Sequence, residues 1–188
     1  MNCAPASSRK SPPRAARRRF PRASRRRALL LAGAALVALG LSVMARPAPL
    51  LVWNSSVSAP LGLYIVMPET RLRPGDMVLV TPPESIADMA ARRGYLPRDV
   101  PLIKQVAAIG GDHVCAKGDI ITVNGDTVAV RQKADSAGRP LPWWQGCRVL
   151  SPGEILFLMP AAQSLDGRYF GPLSSVHVIG RLVPLWLR

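Results

Sequence analysis

Residues 28–45, ALLLAGAALVALGLSVMA, run without one charge or strong polar group, and no other feature limits the possible folds so tightly. As a helix at about 1.5 Å per residue the run reaches about 27 Å, close to a bilayer's hydrocarbon thickness of about 30 Å. What precedes it sets the orientation. Residues 1–27 carry nine arginines and one lysine with no acid, ten of the chain's net +14 charges, and such a positive flank marks the cytoplasmic end of a membrane helix. The expectation is a basic, disordered cytoplasmic arm over 1–27, a single transmembrane anchor over 28–46, and an extracytoplasmic β-domain over 47–188.

A nucleic-acid-binding arm is the other use of so basic a tail. Next to a membrane run, the flank accounts for the same charges, and no nucleic acid is expected as a partner. A cleaved secretory signal rivals the anchor, because Val43 and Ala45 are small residues at a possible cleavage point and SRRRALL (24–30) has the form of a twin-arginine targeting motif. The run exceeds the about 7 to 15 apolar residues usual in a signal, which favours the anchor. On either reading, Arg46 and everything after it lie outside the cytoplasm.

The cysteines fit that placement. Cys3 lies in the arm, while Cys115 and Cys147 fall in the exported part, where two thiols either pair or stay buried and free. A bond between them would close a 33-residue segment, residues 115–147, and contribute about 3 to 4 kcal/mol. The two histidines, His113 and His177, show no zinc-site spacing with the cysteines; no metal or cofactor is expected.

Beyond the anchor, short Val-, Ile-, Leu- and Tyr-rich runs alternate with Pro and Gly, the pattern of a mostly β domain. Strands are expected at 62–67, 77–81, 102–109, 119–123, 127–130, 154–158 and 175–184. RPGD (73–76) and VNGD (123–126) read as tight turns, the second a hairpin through Asn124 and Gly125. One short helix is expected at 83–93, with Ser85 capping its start and Gly94 ending it. Residues 116–153 read as a loop-rich flap closed by the possible disulfide. Trp143 and Trp144 within it would pack beneath the flap, touch substrate or meet the membrane interface.

A search for a nucleophile and its base leaves serine with histidine or serine with lysine. His177 falls inside a β-like run and His113 follows a turn, and neither is tied to a serine. Lysine is better placed: of Lys104, Lys117 and Lys133, only Lys104 stands in a strongly apolar strand, on one face with Leu102, Val106 and Ala108. Burial there would lower its pKa and yield a neutral amine able to accept a serine's proton; a snorkelling, charged lysine is the plainer alternative.

Four stretches in order tip that balance. NSSVSAPLGLY (54–64) resembles the nucleophile region of the signal-peptidase family of membrane-anchored Ser/Lys proteases, and in particular the S-x-P-x-G-x-Y pattern of its conjugal-transfer TraF-type branch, here Ser58, Pro60, Gly62 and Tyr64. RPGDMVLV (73–80), PLIKQVAAIGGD (101–112) and SLDGRYFGP (164–172) resemble the family's turn and strand, lysine strand and S-x-D-x-R segment. The resemblance implies Ser58 as nucleophile, Lys104 as general base, Ser56 with the Ser58 backbone N–H lining the oxyanion hole, Ser164 supporting the lysine, and Asp166 with Arg168 as a structural pair. Three departures stand out. Ala59 and Pro60 replace the methionine and later proline of general signal peptidases, one short flap stands where many carry a large second β-domain, and Gly167 takes a position where many relatives have serine, a small change.

What the resemblance implies is a signal-peptidase-like β-domain with one short helix behind a single N-terminal transmembrane helix, in the bacterial inner membrane with its catalytic domain periplasmic. Its partners would be membrane lipid, a pilin or other exported precursor, and conjugative transfer or type IV secretion components. The function implied is a Ser/Lys endopeptidase maturing a conjugative pilin subunit, by hydrolysis or by cyclisation. The alternatives are a general type I signal peptidase and a non-catalytic membrane-tethered scaffold. A self-cleaving repressor shares the chemistry but needs a cytosolic helix-turn-helix, which the apolar 28–45 run does not supply.

Overall fold

The computed structural model describes residues 22–45, 49–68 and 71–188. The expected disordered arm therefore lies outside the described residues up to position 21, with Cys3 in it, as does residue 46. Helix α1, Arg22–Ala45, contains the whole apolar run. Its side chains are described over 26–42, and there Leu29, Leu30, Leu31, Leu36, Leu39 and Leu41 are all exposed. Among the described residues no helix is long and apolar enough to cross a membrane.

The residues from Ala48 onward form a separate compact unit, mostly β. A seven-stranded antiparallel sheet is built from β1 (Leu51–Asn54), β2 (Gly62–Met67), β3 (Met77–Val80), β4 (Leu102–Ala108), β9 (Glu154–Leu158), β10 (Leu173–Ser174) and β11 (Val178–Leu187), in the order β1-β2-β11-β3-β4-β9-β10. A second sheet is built from β5 (His113–Lys117), β6 (Ile120–Val123), β7 (Asp126–Val130) and β8 (Gly146–Val149), in the order β7-β6-β5-β8. The 116–153 segment keeps long loops, but besides the two strands expected in it, it holds the end of β5 and all of β8, which complete this sheet. Its inner side chains Val114, Ala116, Ile121 and Val123 pack with Ala108, Leu156 and Leu158 of the large sheet. β5 and β8 were hidden because HVCAK and GCRV are short and mix polar with apolar residues, giving no clean alternation.

β3 lies at the centre of the large sheet. Val78, Leu79 and Val80 are fully buried, with Val78 and Val80 facing one core cluster beside Val106 and Phe157, and Leu79 facing the other beside Tyr64 and Leu182. The VNGD hairpin joins β6 to β7 through Asn124 at φ 52° and Gly125 at φ 94°, the left-handed pair a two-residue turn requires.

Two local expectations need correcting. Helix α2 spans Glu84–Arg92 with Pro83 at its N-cap and no side-chain cap bond; Ser85 sits inside the first turn, two positions too late to cap it. Gly94 does follow the helix, at φ 71°. Residues Ser175–His177 form a 3₁₀ turn rather than strand, and β11 instead continues past Pro184 to Leu187. It bulges between Pro184 and Trp186, an arrangement that accommodates the proline's missing N–H.

Candidate active site

The hairpin loop between β1 and β2 presents Ser56 and Ser58, and a residue not singled out in the sequence shapes it. Asn54, at the end of β1, is buried, and its Nδ2 amide lies 3.0 Å from each of the carbonyls of Ser56, Ala59 and Pro60. Its Oδ1 accepts the Ser56 backbone N–H at 2.9 Å. The loop is thus wrapped around one side-chain amide, with Tyr64 OH adding a bond to the Pro60 carbonyl at 2.7 Å. An Asn directly before two serines is a turn signal that could have marked this role. Gly62 is required on separate grounds: a Cβ there would lie 2.1 Å from the Trp186 carbonyl oxygen, so β11 can approach only a glycine.

Within the loop, Ser58 Oγ and Ser56 Oγ share a hydrogen bond of 2.8 Å, and the Ser58 backbone N–H points at Ser56 Oγ at 3.3 Å. Lys104 comes from β4, paired with Val78 across the sheet and on the face of Val106. It is 3% exposed, and its Nζ donates to Ser164 Oγ at 2.8 Å. Burial pushes the ammonium down to about 8 from an ordinary 10.5, with Asp166 pulling it back up and Arg168 reinforcing the fall. The snorkelling alternative is thereby removed.

Asp166 and Arg168 form a fully buried two-pronged pair: Nε donates to Oδ1 and Nη2 to Oδ2, each at 3.0 Å. Asp166 also accepts the backbone N–H of Met159 and of Arg168, and Arg168 donates to the Met159 and Ala162 carbonyls. These bonds tie the end of β9 to the loop carrying Ser164, so the hydroxyl that meets Lys104 is held by the polar network below it.

Ser56, Ser58, Lys104 and Ser164 line one cavity of about 750 Å³, together with Leu102 and Gln163. Its mix of aliphatic wall and convergent hydroxyls and amine suits a peptide whose carbonyl is to be attacked. His113 and His177 stand elsewhere: the first beside Cys115 on the second sheet, the second against the Thr81 carbonyl at 3.0 Å. Cys115 and Cys147 are opposed across β5 and β8 with Cα atoms 4.0 Å apart and are joined as a disulfide. His113 lies close to both, but sulfurs bonded to each other offer no thiolate to a metal.

The family model described as signal peptidase, peptidase S26 matches residues 24–186. The chain belongs to the S26 signal peptidase family. Among S26-like relatives it is 35% identical to a plasmid transfer protein TraF of Escherichia coli over 71% of this chain and 82% of that one. It is 37% identical to a probable conjugal transfer protein TraF of Sinorhizobium fredii over 68% and 72% respectively. A solved signal peptidase I from Enterococcus faecalis V583 matches at TM-score 0.35 and 18% identity over 61% of this chain and 98% of that one, too distant to add to the assignment. Membership in S26 makes this a serine-peptidase-type chain, and the relatives named are conjugal transfer proteins.

Gly167, expected from the sequence to be an easily exchanged position, is tightly constrained. A Cβ on Gly167 would lie 2.6 Å from the Phe157 carbonyl oxygen and 2.7 Å from Leu156 Cδ1. Here the α3 turn, Gly167–Phe170, packs so closely on β9 that serine does not fit without a backbone shift.

Proposed function

We propose that this chain is a membrane-anchored Ser/Lys endopeptidase that matures an exported precursor, most specifically a conjugative pilin subunit, at the periplasmic face of the inner membrane. The observation that carries the reading is the buried Lys104 amine, with its pKa near 8, lining the same cavity as the Ser58 hydroxyl. In the neutral form Lys104 takes the Ser58 Oγ proton as that oxygen attacks the scissile carbonyl. Ser56 Oγ and the Ser58 N–H are the donors this mechanism assigns to the developing oxyanion, released from their mutual contact when substrate enters. The proton then passes to the leaving amine as the C–N bond breaks and the Ser58 ester forms. Water, or the free amine of the same pilin, attacks the ester and returns the proton to Ser58. Ser164 orients Lys104, and Asp166 with Arg168 holds Ser164.

The uncharged sequence of residues 28–45 behind a basic flank is what supports the anchor, although among the described residues no helix is long and apolar enough to cross a membrane. On the folded unit, Leu51, Trp53 and Trp186 are exposed, with the two indoles stacked at 5.7 Å, which suits membrane association. The similarity to conjugal transfer proteins supports a pilin or another component of the transfer machinery as partner.

Co-expression of a candidate pilin precursor with wild type, Ser58→Ala or Lys104→Ala, read by intact mass, tests the reading. Both substitutions should abolish processing while the protein stays folded. Processing by either variant removes that residue from the mechanism, and processing by both leaves a tethered scaffold. A product lighter than the hydrolysed one by one water identifies cyclisation.

A further inference from the structure

The cavity has a wall that the catalytic residues do not explain. Between β7 and β8 the chain makes a small hairpin, residues 133–141, in which Asp135 N–H donates to Arg139 O at 2.9 Å and Leu141 N–H to Lys133 O at 3.0 Å, around Gly138 at φ 74°. Asp135 Oδ1 accepts the Ala137 and Arg139 backbone N–H groups at 2.9 Å each, which is all the turn itself asks of this carboxylate. Its other oxygen looks outward. Oδ2 accepts from Arg139 Nε at 2.7 Å, from the Tyr95 hydroxyl and from Arg93 Nη1 at 3.4 Å. Arg93 Nη2 also donates to the Pro140 carbonyl at 2.8 Å, and the Arg139 guanidinium lies over the Tyr95 ring.

Tyr95 and Arg93 follow α2, in the connection between β3 and β4 of the large sheet; Asp135 belongs to the second sheet's excursion. The contact joins segments 40 or more residues apart. Tyr95, Leu96, Asp135, Ser136 and Leu141 all line the cavity that holds Ser58 and Lys104. We propose that Tyr95 and Asp135 form a specificity-determining clasp, fastening the 133–141 hairpin as a fixed wall of the substrate cavity and so limiting the size of the side chains it accepts around the cleaved bond. The inference rests on the endopeptidase reading above and names what limits its substrates.

Three features make this a clasp rather than an incidental surface pair. The Asp135 side chain is 7% exposed, so its charge is removed from water and depends on these donors. Its pKa is held well below the usual carboxylate range by hydrogen bonds from Tyr95, Arg139 and Ala137 that outweigh its desolvation. The clasp therefore stays charged and shut across the whole range in which Lys104 titrates. The direct contacts to Tyr95 and Arg93 can be released without unmaking the turn, because the turn's backbone N–H groups use the other oxygen and Arg139 Nε holds this one from within the hairpin. Release would free the hairpin from the α2 side and widen the cavity for larger side chains.

Tyr95→Phe is the decisive variant, since it keeps the ring and removes only the hydroxyl. The detergent-solubilised full chain is assayed with two internally quenched peptides around an Ala-x-Ala processing site, one with small and one with bulky flanking residues. Wild type should prefer the small-flank peptide. In Tyr95→Phe that preference should fall about tenfold, through a KM change with kcat within about twofold, the loss of one charged hydrogen bond in a partly shielded site. The pH profile should stay in place, because Lys104 is untouched. Trypsin should also cut faster after Lys133, a readout independent of peptidase activity. Unchanged discrimination and unchanged nicking overturn the clasp, as does a shifted pH profile, which would place Tyr95 in the chemistry instead. If wild type cleaves neither peptide nor any pilin precursor, the endopeptidase reading falls and the clasp's specificity role with it. If wild type cleaves and Tyr95→Phe discriminates equally well, only the clasp falls.

Discussion

Replacing Lys104 with methionine should make the protein more stable while ending its activity. In the folded state the amine titrates near 8, against 10.5 ordinarily, a difference of about 2.5 worth about 3 kcal/mol. The sign follows from proton counts. Between pH 8 and 10.5 the unfolded chain binds a proton at this site that the folded one does not, so stability rises with pH across that window. Below pH 8 the lysine is charged in both states and the full cost of about 3 kcal/mol is present; above 10.5 it vanishes. Methionine of similar length removes that cost but leaves Ser164 without its partner, which takes back about 1 kcal/mol. The net expectation is a gain of about 2 kcal/mol at pH 7, measured by urea unfolding followed through tryptophan fluorescence, together with a flattened stability profile from pH 8 to 10.5. The same pKa sets the catalytic profile. The neutral fraction is about 9% at pH 7 and about 50% at pH 8, against about 0.03% at pH 7 for an ordinary lysine, so activity should climb about tenfold from pH 7 to 9. A Lys104→Met variant no more stable than wild type at pH 7, combined with activity flat across pH 7 to 9, would refute the claim that burial tunes this amine.

Asn54→Ala should cut processing at least 100-fold and destabilise by about 2 kcal/mol, because one amide organises the whole nucleophile loop; activity within threefold of wild type would show that the loop holds itself. Gly167→Ser should lower stability by about 2 kcal/mol or more in thermal unfolding, since the added Cβ meets the Phe157 carbonyl. An unchanged Tm would mean that α3 moves freely off β9. Reducing the Cys115–Cys147 bond, or replacing both residues with serine, should cost about 3 kcal/mol and show as a lower urea midpoint. Equal midpoints with and without reductant would make the bond energetically idle.

Much of the site was legible because its chemistry is local in sequence. The serine loop, the lysine strand and the S-x-D-x-R segment each carry their residue types at short spacing, and alternation alone put Lys104 on the inward face with Val106 and Ala108. The turns were legible for the same reason, Asn124 and Gly125 fixing a hairpin that needs no distant partner. Where expectation and structure parted, the deciding contact was remote. Ser85 looked like a cap because its residue type is right, but the helix starts where Pro83 fixes it. The 116–153 segment looked like loops because β5 and β8 gain their strand character from being paired with each other through Cys115 and Cys147, and from β6 on the other edge of β5.

Gly167 and Asp135 carry that distinction furthest. Gly167 reads as a harmless exchange for serine until β9 is laid against it, and Asp135 reads as one turn residue among many until Tyr95 and Arg93 arrive from α2. Neither role is present in any window of sequence, because each exists only where two distant segments meet. The groups proposed as catalytic can be read from a family pattern, since a given reaction demands given atoms. The wall that chooses among substrates is free to differ, and it is built from contacts of the long-range kind. On the proposed function, substrate choice is therefore to be sought where Arg93 and Tyr95 meet the 133–141 hairpin, away from Ser58 and Lys104.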